Sequence, residues 1–438
     1  MQLIKIDKSK KRLIFTSISF LLIIYIVYRS EFTYDGNNRD FYSKYFYFSL
    51  SLFFLSILSF FISNKIKQYL IISSVSVIFS LYMFEAYLTY EFDIESKRKK
   101  AYFQKNKKKF DDRSIYEVYH VLKKKEDRAS VAVHPANIAN MNFSIKPLSG
   151  MSKAKTILCN ENGYYANFLS DRFGFNNPDK EWDAKEISYL LVGDSFVMGE
   201  CVNRPHDISS VLRNLSNKSV INLGYGSNGP LIEYASLREY LGKNMTKVIW
   251  VFYEGNDFID LNYELNIDEF KSYLSNTDFS QNLKNNQNKI DNLVVEAIKK
   301  QETKYLNRNI KKNRFLVFIK FYNLRLSLNL TQRNENNYRE FKKILKLAKN
   351  LVFQNKSEFY FVYMPSYHRY HKSNYNNDIY QNVKKIVKDL GIPFIDLHEE
   401  FLAKERNPLS FYPFEIYGHF NIEGYRRTAE TIYKLTNN

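Results

Sequence analysis

Three long apolar runs open the chain: residues 13–28 (LIFTSISFLLIIYIVY), 45–62 (YFYFSLSLFFLSILSFFI) and about 69–88, in which Glu85 is the sole charge. A helix that crosses a bilayer core needs about 20 largely apolar residues. The second and third runs meet that length, and the first does if its flanking side chains snorkel. Membrane spans are therefore expected at about 11–30, 44–63 and 68–89. The apolar residues go all round each helix and leave no polar stripe, unlike the surface helices of a soluble domain. A cleaved signal peptide fits the first run poorly, because no small-residue cleavage site follows and two more spans come after it.

The pattern changes near residue 186. Short apolar runs at 188–192 (SYLLV), 220–223 (VINL), 248–253 (VIWVFY), 358–364 (EFYFVYM) and 393–397 (PFIDL) are each bounded by turn residues. Continuous Val, Ile, Leu and aromatic runs of this length predict strands buried on both faces, the mark of a parallel sheet. Helical patterns lie at about 207–215, 231–242, 337–354, 377–390 and 422–435. Alternating strands and helices predict an α/β fold with a parallel sheet, and in such sheets ligands bind beyond the carboxyl ends of the strands. The expected organisation is a transmembrane region at 1–95, a lead-in segment at 96–185, and an α/β domain at 186–438 with a helical insertion at 263–336. The insertion is read as a solvated cap over the sheet. The alternative is a basic amphipathic helix, around 311–330, lying on a membrane surface. No internal repeat is present.

Charge modifies this picture in one respect. The chain carries a formal +18 over 438 residues, and residues 1–109 hold 18 Lys and Arg against 8 Asp and Glu, so +10 of it lies beside the apolar runs. A basic chain raises the question of nucleic acid. Here the basic cluster hugs a bilayer span and no nucleic-acid motif appears, so nucleic acid is excluded as a partner and the lipid bilayer is expected as one. Lys5, Lys8, Lys10, Lys11 and Arg12 at the start, with Lys65 and Lys67 in the second loop, place the N-terminus in the cytoplasm by the positive-inside rule. Three spans then put the α/β domain outside the cytoplasmic membrane. The basic run from Lys97 to Lys109 pulls the other way, but long domains translocate largely regardless of charge. Two cysteines, Cys159 and Cys201, are too few for a disulfide scaffold or a thiolate zinc site. Whether they form one bridge is open at this level.

The residues just past the strands carry the chemistry. Gly193-Asp194-Ser195 follows the first, Asn222-Leu-Gly224-Tyr-Gly226-Ser227-Asn-Gly229 the second, and Glu254-Gly255-Asn256-Asp257 the third, while Gly418-His419 precedes the last helix. A hydroxyl nucleophile, a loop of backbone donors, a side-chain amide and an imidazole are the parts that acyl transfer needs. In order and spacing these blocks resemble the SGNH/GDSL hydrolase superfamily, and the wider text, including Phe173-Gly-Phe-Asn-Asn-Pro178, resembles a membrane-anchored bacterial branch of it. The resemblance covers roughly residues 110–438, the insertion least well. It implies a flavodoxin-like parallel sheet, Ser195 as nucleophile and His419 as base. It implies an oxyanion hole made of the Ser195 N–H, a backbone N–H of the glycine loop (Gly226 is the choice, Ser227 the alternative) and the Asn256 side chain. No cofactor and no metal are implied.

Two departures stand out. Glu254 occupies the first glycine position of its block. The acid that the superfamily usually carries three residues before the histidine is missing, for Ile416 stands there. Glu415, one position further away and one methylene longer, is the nearest candidate to orient His419; a backbone carbonyl and a distant acid are the alternatives. The expected activity is hydrolysis of ester-linked acyl groups, with extracellular acylated carbohydrate as the substrate class that the resemblance suggests. Transfer of the acyl group to a glycan hydroxyl and an inactive membrane scaffold are the rival readings. Asp194 is expected to be structural. His398 is read as part of a solvated helix start, and His368 and His371 as surface residues.

Overall fold

The computed structural model describes residues 8–33, 36, 39–139, 141, 143–307, 310–328 and 337–437. Lys5 and the last residues of the expected insertion, 329–336, lie outside the described residues. The chain forms two compact units, one of residues up to Asp93 together with the segment around 310–328, the other of the remainder from Ile94.

In the first unit the apolar runs are helices Lys8–Val27, Arg39–Leu58 and Asn64–Glu91. Among the described residues two helices are long and apolar enough to cross a membrane, Phe41–Leu58 and Asn64–Glu91. Their large side chains face outward, with Phe48 63% and Phe79 66% exposed, while Ser49, Ser56 and Glu85 are buried. The buried Glu85 carboxylate accepts from the Asn323 N–H (3.0 Å), the Leu324 N–H (2.8 Å) and Asn323 Nδ2 (3.1 Å). A carboxylate removed from water needs such donors. The start of the short helix Tyr322–Ser327 supplies them, because its first amides have no partner within the helix. The expected insertion therefore does not act as one cap. Helices Asp268–Ser275 and Gln287–Asn307 belong to the second unit, and residues 310–328 group with the N-terminal helices.

The second unit holds two sheets. The lead-in segment contributes a small one: β1 (Ala129–Val131) runs parallel to β2 (Lys155–Ile157), which pairs antiparallel with β3 (Asn167–Leu169). The main sheet comprises β4 (Ile187–Val192), β5 (Ser219–Asn222), β6 (Met245–Tyr253), β7 (Glu358–Met364) and β8 (Phe394–Asp396), all parallel, in the order β5-β4-β6-β7-β8. The period of two sends alternate residues to opposite faces. Leu190, Val192, Val248, Trp250 and Phe252 join one core with helices Pro230–Tyr240, Tyr338–Gln354 and Asp378–Asp389. Tyr189, Leu191, Ile249 and Val251 join the other with helices Ile208–Ser216 and Ile422–Thr436. Both faces are covered, which is why the strands read as unbroken apolar runs. The chain steps from β4 outward to β5 and then crosses to β6 on the other side. That reversal opens a crevice at the carboxyl ends of β4 and β6, the place where doubly wound sheets bind ligands.

Candidate active site

Ser195 sits one turn past β4. Gly193 is needed there: a side chain at 193 would stand 2.9 Å from the Val251 carbonyl and 2.4 Å from a Val197 methyl. Asp194 caps the short helix Ser195–Met198 by accepting from the Phe196 N–H (2.9 Å), the structural role expected of it. Burial, relieved in part by that N–H and by His419, pushes the Asp194 carboxyl up to about 6. Ser195 Oγ lies 2.9 Å from His419 Nε2 and 3.3 Å from Asp194 Oδ2. The hydroxyl and the imidazole, from the two ends of the α/β region, thus meet within hydrogen-bonding distance.

On the far side of the ring the acid is Glu161. Its Oε2 accepts the His419 backbone N–H at 2.7 Å and its Oε1 lies 3.3 Å from Nδ1. Arg98 stands 3.2 Å from the same carboxylate and donates to the Tyr417 carbonyl. Gly418 makes the approach possible, since a side chain there would fall 2.3 Å from Glu161 Oε2. Glu415 does not take this role. Phe414 and Glu415 both have left-handed backbone (φ 57° and 58°), and the turn carries the Glu415 carboxylate to Asn407 Nδ2 (2.9 Å). Among the described residues no backbone carbonyl bonds Nδ1 either. Burial opposes charge on the imidazole, but Glu161, and behind it Glu200 and Asp194, outweigh this and raise His419 to about 9. Burial alone would lift the Glu161 carboxyl; His419 and Arg98 hold it below its ordinary value.

The remaining expected residues surround the same cavity, which has a volume of about 380 Å³. Asn256 is in its wall. It spends one amide N–H on Asp260 Oδ2 (2.7 Å), and its Oδ1 is buried with no partner. Gly226 lies just behind the wall, packed so that a side chain would meet His134 Nε2 at 2.9 Å and Glu200 Oε2 at 3.1 Å. Ser227 lines the cavity and bonds His134 Nδ1 at 2.9 Å. Glu200 Oε2 is 3.7 Å from His419 Nε2, so a second carboxylate flanks the imidazole on the Ser195 side.

Comparison with known proteins adds a fold-level likeness only. No family model matches the chain, and no curated protein does. Solved structures that it resembles include a protein described as lipolytic, of the G-D-S-L family, from Desulfitobacterium hafniense (13% identity, TM-score 0.32), the acetyl xylan esterase AlAXEase (14%, 0.33) and a lipase/acylhydrolase from Enterococcus faecalis (13%, 0.33). Each match covers 57% of this chain and 94–99% of the other. A likeness at these TM-scores decides neither fold nor chemistry. Those rest on the strand order and on the distances around Ser195.

Glu161, Arg98, Glu200 and His134 are the residues that the sequence alone does not single out. Glu161, Arg98 and His134 come from the lead-in segment, outside the motif blocks. The one signal near them is cysteine: Cys159 and Cys201 are joined in a disulfide, with Cα atoms 5.0 Å apart, which settles the bridge that the sequence leaves open. The ligand atoms of Cys159, Cys201, Glu161 and His419 lie within 4.8 Å of one another. With the sulfurs bonded to each other, that set offers no thiolate to a metal. The departure at Glu254 has a structural cause as well. Its fully buried carboxylate pairs with Arg369 and accepts the Ser366 N–H (2.9 Å), tying the end of β6 to the loop after β7. His368, in that loop, is half-buried and stacks on Tyr417, which lines the cavity; His371 is exposed. His398 is at the start of the helix Leu397–Glu400, with Nδ1 2.8 Å from the Tyr370 hydroxyl.

Proposed function

We propose that this chain is a membrane-anchored serine hydrolase that cleaves ester-linked acyl groups with a Ser195–His419–Glu161 triad. The observation that carries the reading is the line of contacts from Ser195 Oγ to His419 Nε2 (2.9 Å) and from His419 Nδ1 to Glu161 (3.3 Å). Ser195 Oγ attacks the ester carbonyl carbon while His419 Nε2 takes the hydroxyl proton. The tetrahedral oxyanion receives hydrogen bonds from the Ser195 and Gly226 N–H groups and from the second N–H of Asn256 Nδ2. Collapse expels the alcohol, to which His419 returns the proton. Water, deprotonated by His419, then attacks the acyl-Ser195 carbonyl and releases the acid. A glycan hydroxyl in place of that water would make the chain an O-acyltransferase through the same intermediate. An inactive scaffold loses its main support, because the acid absent at Ile416 has a counterpart in Glu161.

The membrane part of the reading has three helices, Lys8–Val27 being the first span, in the cytoplasmic membrane, with the α/β unit outside. Two features support it. Exposed large apolar side chains with buried serines suit helices whose solvent is lipid and whose contacts use small residues. A disulfide is at home in an oxidising compartment. A reporter fused after residue 438 is expected to be active only outside the cytoplasm.

The enzymatic test is a fluorophosphonate probe on the detergent-solubilised full chain. Labelling at Ser195 that disappears in Ser195→Ala is the expected result; no labelling of the folded protein would refute the reading. Product analysis with and without a sugar acceptor then separates water from hydroxyl as the second substrate.

A further inference from the structure

We infer that the Cys159–Cys201 disulfide is a positioning element of the active site, holding Glu161 against His419, and that a dithiol reductant switches the site off by releasing it. The inference rests on the catalytic reading of Ser195 and His419.

The acid comes from an unusual place. Glu161 lies at the tip of the β2–β3 hairpin, which closes with the Leu158 N–H on the Ala166 carbonyl (2.7 Å). Hairpin tips are mobile unless something ties them down. This one is tied to the turn that follows the nucleophile, by the disulfide and by Asn162 Nδ2 on the Cys201 carbonyl (3.0 Å). The two half-cystines stand beside the two carboxylates that flank the imidazole. Cys159 is two residues before Glu161, and Cys201 is next to Glu200. Cys201 Sγ itself is 3.6 Å from His419 Nδ1.

The backbone at Cys201 points the same way. Its φ is +67°, a left-handed conformation that favours glycine, and a residue with a side chain persists there when its surroundings impose it. A cysteine at this position gives up conformational ease, and the disulfide is what its side chain contributes in return. The Glu161 Oε1 to His419 Nδ1 distance of 3.3 Å lies near the outer limit for a hydrogen bond, so a small retreat of the tip breaks it. Cys159 is half-buried, whereas Cys201 is buried. In the reductive step dithiothreitol gives two electrons and two protons to the sulfurs. It leaves as its cyclic disulfide, and Cys159 and Cys201 remain as thiols.

The experiment measures the rate of fluorophosphonate labelling at Ser195 in full-length wild type and Glu161→Gln, each oxidised and after dithiothreitol. Thiols are counted by mass spectrometry. A chelator is present, because the freed thiols with Glu161 and His419 could capture stray zinc. Reduction is expected to slow wild type at least tenfold and Glu161→Gln less than twofold, since the bond acts through a group that the variant lacks. The pH midpoint of wild-type labelling should fall on reduction, as it does in Glu161→Gln, with Glu200 and Asp194 still facing the ring and Arg98 freed from its partner. Equal loss in both proteins would make the disulfide a general staple and overturn the inference, as would a reduced wild type that labels at the oxidised rate. If the reduced chain unfolds on melting analysis, Cys159→Ser/Cys201→Gly replaces it. Glycine accepts the left-handed backbone, and this variant should show the same tenfold loss; full activity in it would refute the proposal. Oxidised wild type that fails to label at all refutes the hydrolase reading instead, and this inference with it.

Discussion

Burial runs in opposite directions in the two units. In the N-terminal unit Phe48 and Phe79 face out while Ser49 and Ser56 face in, whereas in the sheet unit Trp250, Phe252 and Tyr363 are buried completely. Each unit nevertheless buries a glutamate that reaches across more than 230 residues to backbone N–H groups: Glu85 to Asn323 and Leu324, Glu161 to His419. The difference lies in what else the carboxylate touches. Among the described residues the Glu85 carboxylate meets only amides, which suits it to docking a segment. Glu161 also meets an imidazole, whose proton affinity it raises, and in the proposed mechanism that makes the same docking device part of a proton relay.

The sharpest way to break this comparison is Glu161→Gln, which keeps the shape and removes the charge. The labelling rate at Ser195 should drop by about 10²–10⁴, as expected when a triad loses its acid. The pH profile tests the same group. Labelling needs neutral His419, so in wild type it should rise as pH climbs through about 9. In the variant the rise should move to lower pH, with Glu200, Asp194 and Arg98 still near the ring. An unmoved profile would deny Glu161 its hold on the ring. The same shift bears on stability. A histidine raised in the folded state contributes stability that is fully present below about 6.5, its unfolded value. That contribution is lost as pH rises toward about 9, and thermal melts across the range should show the decline.

Asn256→Ala should cost about 10²–10³ in labelling rate with little change in melting temperature, the mark of one oxyanion donor. Glu85→Ala should do the reverse. It strands the donors of Asn323 and Leu324 and should destabilise the first unit by about 1–3 kcal/mol, seen as faster proteolysis around 310–328, with labelling at Ser195 within about twofold of wild type. Loss of labelling in that variant would erase the distinction between the two glutamates. Glu415→Ala should have the smallest effect, within about twofold, because its carboxylate serves Asn407.

Much of the sheet unit is legible along the chain, for a local reason. A strand covered on both faces is apolar at nearly every position, so 358–364 marks β7 to the residue, and the expected runs at 188–192 and 220–223 overlap β4 and β5 with shifts of one residue. Ser195, Gly226 and Asn256 stand out because each follows a strand whose end the pattern marks. Glu161 does not. It stands in turn-rich text, 258 positions from His419, and no period or spacing relates the two. Glu415 attracts attention by proximity in sequence, and two left-handed residues turn it away.

Apolar periodicity and turn residues therefore determined the layered α/β architecture and the apolar character of the N-terminal helices, and the resemblance to a hydrolase superfamily picked out the loops of Ser195, Asn256 and His419. These are local matters of burial and backbone geometry, and each residue's neighbours in the chain suffice to state them. Tertiary structure decided which acid faces His419, that Cys159 bonds to Cys201, and that residues 310–328 join the N-terminal helices. Each of these is a meeting of distant segments around a buried polar group, and a buried charge takes whichever donor the fold brings within reach.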